Sequence, residues 1–178
     1  MVWGDTGDFP SVARGLAGCG YAVHAAGFFR FWGSEEQFAR INVTGTEHVA
    51  RAAAEAGVKK FVHISTVAVV GKPAPGQAIL EDTPCRPLDA YQRTKYAAEQ
   101  KIHALAEACG LRAVVLRPGA FYGPHGQYGF NRLFIADPMR GWRVQVESGR
   151  RLVFPVFVPD VAWAICRAGC CPLRRRSA

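Results

Sequence analysis

Short apolar runs alternate with longer stretches of helical period along this chain, and that alternation limits the fold more than any other feature. YAVHAA (21–26) is a short apolar run closed by a turn, which predicts a buried strand. Ser34 then caps a helical stretch that carries Glu35 and Glu36 in its first turn, where negative charge suits the helix dipole. That stretch runs through NVTGTEHVARAAAEAG and stops near Gly57. KFVHISTVAVV (60–70), rich in β-branched residues, predicts the next strand. A loop over 71–87 holds four prolines and two glycines. Residues 89–109 read as a helix, with Tyr96, Ala97, Ile102, Leu105 and Ala106 at helical spacing and Gly110 as its stop. RAVVLRP (112–118) predicts a third strand.

Strand–helix–strand–helix–strand in this spacing is the pattern of an α/β domain with a parallel sheet covered on both faces. Such sheets bind ligands beyond the carboxyl ends of their strands. AAG (25–27), STV (65–67) and RPGAFYG (117–123) are therefore expected at one rim. Beyond residue 118 the pattern predicts a helix over about 129–139 and a strand at RLVFPVFV (151–158). A last helix follows, capped by Asp160 and running through Ala168. The expected organisation is a main domain over 1–128 and a partial lobe over 129–178.

At 178 residues, 49% of them apolar, the chain can bury a core without disulfides. No apolar run approaches the ~20 residues of a membrane span. The opening MVWGDTGDFP lacks a basic segment followed by a hydrophobic one, so a cytoplasmic protein is expected. Six cysteines fit that compartment. Cys19, Cys85, Cys109, Cys166, Cys170 and Cys171 form no C-x-x-C pair and are read as free or buried thiols, with no metal site expected. The net charge of +8 lies in one part of the chain: residues 112–178 hold 11 arginines and 3 acids, while the rest is balanced. A basic half can meet nucleic acid, lipid or a phosphorylated small molecule, or be a solvated surface. A nucleic-acid role for Arg174, Arg175 and Arg176 is not expected.

DAYQRTKYAAEQ (89–100) carries the chemistry. Tyr91 and Lys95 are four residues apart and project from nearly the same side of the helix. A free tyrosine, with a pKa near 10, is a poor acid or base at neutral pH. An ammonium nearby favours the phenolate and makes the phenol useful in proton transfer. Thr66, at the end of a strand and at the expected rim, can add a hydroxyl to orient a substrate oxygen, with Ser65 as the neighbouring alternative.

With HAAG (24–27), NVTGT (42–46), AGVKKFVHISTVAVVG (56–71), EDTP (81–84), YQRTK (91–95), LRPGAFYGP (116–124) and FPVFVPDVAWAI (154–165) in this order, the chain resembles the extended short-chain dehydrogenase/reductases, the NAD-dependent epimerase/dehydratase group. The resemblance implies a Rossmann-like doubly wound parallel sheet and NAD or NADP as cofactor. It implies Tyr91 as the catalytic acid/base, Thr66 as the orienting hydroxyl, and Lys95 as the residue that binds the nicotinamide ribose and lowers the tyrosine pKa. It also assigns Asp5 to the adenine, Ala25, Ala26 and Gly27 to the loop lining the cofactor, and Pro118, Gly119 and Phe121 to backbone meeting the nicotinamide. Asn42 and Thr46 match positions that tie helix to sheet. Measured against that family, the sequence lacks the first βαβ portion, with its glycine-rich phosphate loop, and most of the substrate lobe. GLAGCG (15–20) reads as a turn, and GPHGQYG (123–129) falls on the family's own Y-G-P loop, where Pro124 removes a donor.

Two functions follow from these readings. One is an enzyme moving hydride to or from a small-molecule substrate, either a nucleotide sugar or a ketone. Arg132, Arg140, Arg143, Arg150 and Arg151 are candidates for sugar-nucleotide phosphates, whereas FRFWG (29–33) is an aromatic wall suited to a flat ketone. The other is a non-catalytic remnant whose uncovered sheet edges serve as an interaction surface. A homodimer is left open, and no membrane partner is expected.

Overall fold

The protein is described by a computed structural model over residues 3–30, 33–74, 76–126, 129, 131–142 and 153–170. Phe31, Trp32, Arg143, Arg150, Arg151, Cys171 and Arg174–Arg176 lie outside the described residues, as do parts of the 123–129 and 151–158 segments. The chain divides between Arg117 and Pro118 into two units.

The first unit is built on three strands, β1 (Tyr21–His24), β2 (Lys60–Ile64) and β3 (Ala113–Leu116), parallel and in that order. The registers Ala22↔Phe61 and His24↔His63 on one side, and Phe61↔Ala113 and His63↔Val115 on the other, put these residues on one face of the sheet. Helices α3 (Gly45–Glu55) and α4 (Ala90–Cys109) pack there, and α1 (Phe9–Leu16) packs on α3. Ala22, Val49, Ala50, Ala53, Phe61, Ile102 and Leu111 form the shared core. All five residues of β2 are buried, as a central strand requires. On β1, Tyr21 and Val23, which alternate with the core-facing residues, are 53% and 52% exposed, so the other face of that strand is open to solvent.

Local signals explain the helix ends. Ser34 accepts from the Gln37 N–H at 3.2 Å and starts α2 (Glu35–Phe38), which continues into α3 through a wide π-helical stretch, Ala39–Thr44. Asp89 accepts from the Gln92 N–H at 2.8 Å and starts α4, while the Gln92 amide oxygen accepts from the Leu88 N–H at 2.7 Å. Gly110 ends α4 in the left-handed region at φ 68°. Replacing the cap, Asp89→Ala, is expected to cost about 1 kcal/mol of unfolding free energy, measured by urea titration.

Two expectations are corrected. The strand read over 60–70 ends at Ile64; Val67–Val70 is a 3₁₀ turn that Thr66 caps by accepting from the Ala68 N–H at 3.2 Å. β-Branched content alone does not distinguish a strand from a buried turn, and Val69 and Val70 are buried in either form. Asp160 lies within the first turn of α6 (Val158–Cys170) rather than capping it.

In the second unit, β4 (Ala120–Tyr122) pairs in parallel with β5 (Pro155–Phe157), which runs directly into α6. The helix expected over 129–139 appears as a π-helical stretch, Arg132–Ala136, followed by α5 (Asp137–Met139). Among the described residues no helix is long and apolar enough to cross a membrane.

Candidate active site

The buried stripe of α4 is Lys95, Ala98, Glu99 and Ile102, at i, i+3, i+4 and i+7. Two of its four places are charged. Lys95 is only 3% exposed, and its ammonium donates to the Ile64 carbonyl at 2.7 Å, at the exit of β2. A second contact, at 3.3 Å, reaches His63 Nε2. Burial, opposed by the Glu99 charge, lowers the Lys95 pKa to about 8.

His63 and His24 stack with ring centroids 5.2 Å apart. Burial first, and the Lys95 charge second, push His63 down to about 2 and His24 to about 4. Both rings are therefore neutral at physiological pH. With Nε2 accepting from an ammonium, the His63 proton sits on Nδ1, a buried atom without a hydrogen-bond partner. His24 Nε2 meets the Thr46 hydroxyl at 3.0 Å, so Thr46 ties α3 to β1 as expected.

Tyr91, one turn before Lys95, is brought together with Thr66. A side-chain hydrogen bond from Thr66 acts to lower the phenol's pKa, but burial acts harder in the opposite direction and Asp89 adds to it, so the pKa lies above its ordinary value. Burial thus outweighs any help to the phenolate, while the Lys95 ammonium is aimed at the Ile64 carbonyl and His63. The Phe29 ring packs edge-on against Tyr91 at 4.9 Å, with Phe28 and Phe38 in edge contact beside it at 5.0 Å.

The loop after β1 completes this face. Asn42, in the π-helical stretch, accepts from the Phe28 N–H at 2.7 Å and donates to the Phe28 carbonyl at 3.1 Å and to the Thr94 hydroxyl at 3.1 Å. It thus fixes the 25–28 loop against α4. A Cβ placed at Gly27 would lie 3.9 Å from Lys95 Nζ and 3.6 Å from Asn42 Oδ1, so the glycine lies close to the ammonium. Ala25 and Ala26 precede it as exposed loop residues.

The other expected site residues are placed differently. Asp5 is exposed, and its carboxylate accepts from the Gly7 N–H at 2.8 Å in a turn before α1, away from the Tyr91–Lys95 helix in sequence. Pro118, Gly119 and Phe121 belong to the second unit. Gly119 has a packing reason there, since a Cβ would fall 1.8 Å from the Phe154 carbonyl oxygen; Phe121 pairs with Val156. The turn at 123–126 wraps the Asn131 amide, which accepts from the Gly123 N–H at 3.1 Å and donates to the Gly123 and Gly126 carbonyls, so a side chain takes the place an anion would need. Among the described residues no group of three or more metal-ligating side chains occurs.

Three neighbours of these side chains were not singled out from sequence: His63, Glu99 and Arg117. Glu99 accepts from the Ser65 hydroxyl and from Arg117, whose Nη2 lies 2.6 Å from Oε2. This commits Ser65 and leaves Thr66 as the hydroxyl facing Tyr91. The signal was available in Y-x-x-x-K-x-x-x-E, which puts a carboxylate one turn beyond the lysine. Arg117 and Glu99 also border a pocket of about 530 Å³, together with Val70, Leu80 and Val115. Thr66, Tyr91 and Lys95 do not line it.

Comparisons with known proteins identify the family. Residues 1–168 match the family model described as the NAD dependent epimerase/dehydratase family. A quinoline-oxide ketoreductase of Stigmatella aurantiaca is 33% identical over 85% of this chain and 45% of its own length. The rat 3 beta-hydroxysteroid dehydrogenase type 7 is 32% identical over 91% of this chain and 42% of its own. Among solved structures, Thermus thermophilus UDP-glucose 4-epimerase in complex with NAD superposes with a TM-score of 0.82 at 27% identity, covering 95% of this chain and 60% of that one. The chain spans about half the length, or less, of the curated relatives it matches. On its sheet, its tyrosine–lysine helix and the match over nearly all its residues, the chain belongs to the NAD-dependent epimerase/dehydratase family, with a Rossmann-type α/β fold.

Proposed function

We propose that this chain carries the proton-transfer centre of an NAD(P)-dependent oxidoreductase that reduces a flat, apolar ketone to its alcohol. One observation carries the reading: the Thr66 hydroxyl acts on the Tyr91 phenol, and Lys95 lies one turn further along the same helix, close to Gly27. In the reduction, the Tyr91 O–H donates its proton to the carbonyl oxygen while Thr66 holds that oxygen in place. Burial keeps the phenol protonated through the neutral range, which suits an acid rather than a base.

The residues present fit the nicotinamide-ribose end of a dinucleotide. An ammonium has three donors; Ile64 and His63 account for two, leaving one for a ribose hydroxyl under the 25–27 loop. Bound nicotinamide supplies the hydride. Asp5, Pro118, Gly119 and Phe121 are proposed cofactor contacts on the family resemblance.

The Phe29 ring against Tyr91 favours a flat ketone over a nucleotide sugar. So does Arg132, a candidate phosphate ligand that already faces Asp137 at 3.7 Å. Relatives named for a ketoreductase and a hydroxysteroid dehydrogenase point the same way.

Fluorescence titration with NADH and NADPH tests the cofactor, and turnover of an aromatic or steroid ketone beside a nucleotide sugar tests the substrate. Phe29→Ala is expected to raise KM for the ketone about tenfold with kcat little changed, the loss of roughly 1.4 kcal/mol of uniform binding. A folded protein that binds neither cofactor up to millimolar concentration would instead be an interaction module.

A further inference from the structure

Lys95 and Glu99 sit on successive turns of the buried stripe of α4, an expensive place for two charges. The Glu99 side chain is 0% exposed and fully engaged. Arg117 Nε lies 3.1 Å from Oε1 and 3.2 Å from Oε2, its Nη2 lies 2.6 Å from Oε2, and the Ser65 hydroxyl donates to Oε1. Ser65 follows the last residue of β2 and Arg117 follows the last residue of β3, so one carboxylate joins the exits of two strands to the helix. The Ser65 N–H also donates to the Leu116 carbonyl at 2.7 Å, closing the same junction from the backbone. Ile64, whose carbonyl receives the Lys95 ammonium, lies directly before Ser65.

The groups facing Lys95 come from every neighbouring element. His63 from β2 and His24 from β1 are both neutral, and Glu99 on α4 is the carboxylate acting on it, its own charge shared with Arg117 after β3. We propose that Glu99 is a positioning residue for Lys95: its carboxylate braces the strand exits that present the Ile64 carbonyl and supplies the counter-charge that keeps the buried lysine an ammonium aimed at that carbonyl. Arg117 and Ser65 set how much of that charge reaches Lys95. The consequence for activity rests on the proposed role of Lys95; the brace itself does not.

The test uses the full chain without cofactor, its lysines ¹³C-labelled at Cε, and follows the Lys95 titration by NMR, with assignment by Lys95→Arg. The wild-type midpoint is expected at about 8. Glu99→Gln is expected to lower it by about one unit or more, because the opposite charge is gone. Arg117→Gln is expected to raise it, because the carboxylate is no longer shared. If Glu99→Gln does not fold, Arg117→Gln decides alone: a rise supports the proposal, and no change or a fall overturns it. A folded Glu99→Gln within about 0.3 unit of wild type overturns it as well, since a counter-charge at one helical turn cannot be worth so little. Failure of the cofactor reading shows separately, as wild-type protein that binds no NADH while the midpoint shift persists.

Discussion

Tyr91→Phe is expected to lower kcat for ketone reduction by about 10² to 10⁴, the range supplied by a positioned general acid, with KM changed much less. The substitution removes one oxygen from a partly buried ring and leaves the Phe29 edge contact and the helix surface intact, so the protein should remain folded. The pH profile separates the two members of the pair. Burial pushes the Tyr91 pKa above its ordinary value, so the phenol stays protonated across the neutral range. Lys95, at about 8, is the group that titrates near working pH. The reductive rate should therefore fall as pH rises through about 8, when the ammonium loses its charge, and the residual rate of Tyr91→Phe should show the same fall. A Tyr91→Phe rate within about threefold of wild type, or a limb near pH 8 that vanishes in the variant, would remove Tyr91 from the acid role or assign that limb to it.

The parallel order and the Tyr91–Lys95 helix were legible because each rests on a local, periodic signal. Short apolar runs marked β1, β2 and β3, and Asp89 and Gly110 bracket α4 with standard caps. The face of α4 was not legible in the same way. Apolar spacing pointed to Tyr96, Ala97, Ile102, Leu105 and Ala106; of these Ile102 is in the buried stripe, which also runs through Lys95, Ala98 and Glu99. Hydrophobic periodicity assumes that charges go outward. Here they go inward because the neighbouring strands carry their partners: His63 and the Ile64 carbonyl for Lys95, Ser65 and Arg117 for Glu99. Those partners lie 18 to 34 positions away in sequence, beyond the reach of any local pattern. The choice between Ser65 and Thr66 likewise turns on a distant contact. Both hydroxyls follow β2, and only the Glu99 contact shows which one is already taken. Of the aromatic segment 29–33, Phe29 packs edge-on against Tyr91, another contact with a distant partner.

The same inward polarity makes the fold acid-sensitive. Between pH 7 and pH 5 the first unit is expected to lose about 3–4 kcal/mol of unfolding free energy through His24 and His63. The sign follows from the direction of the shifts. Both imidazoles are held below their ordinary 6.5, to about 4 and about 2, by burial and then by the Lys95 charge. In that window the unfolded chain binds protons that the native state refuses, so stability rises with pH up to about 6.5 and is lost as pH falls below it. Each imidazole contributes roughly 1.4 kcal/mol per pH unit, or about 2 kcal/mol by pH 5, against a usual total of about 5–15 kcal/mol. Lys95 acts elsewhere, between about 8 and its ordinary 10.5, and leaves this window undisturbed. Staying at or above pH 5 also keeps ordinary carboxylates ionised. Urea midpoints at pH 7 and pH 5 measure the loss. His24→Ala, less stable at pH 7 because it forfeits the Thr46 bond and the stack on His63, should lose about half of the pH dependence. Equal midpoints at the two pH values would mean that these rings accept protons in the folded state, which a buried pair stacked 5.2 Å apart beside an ammonium should not do.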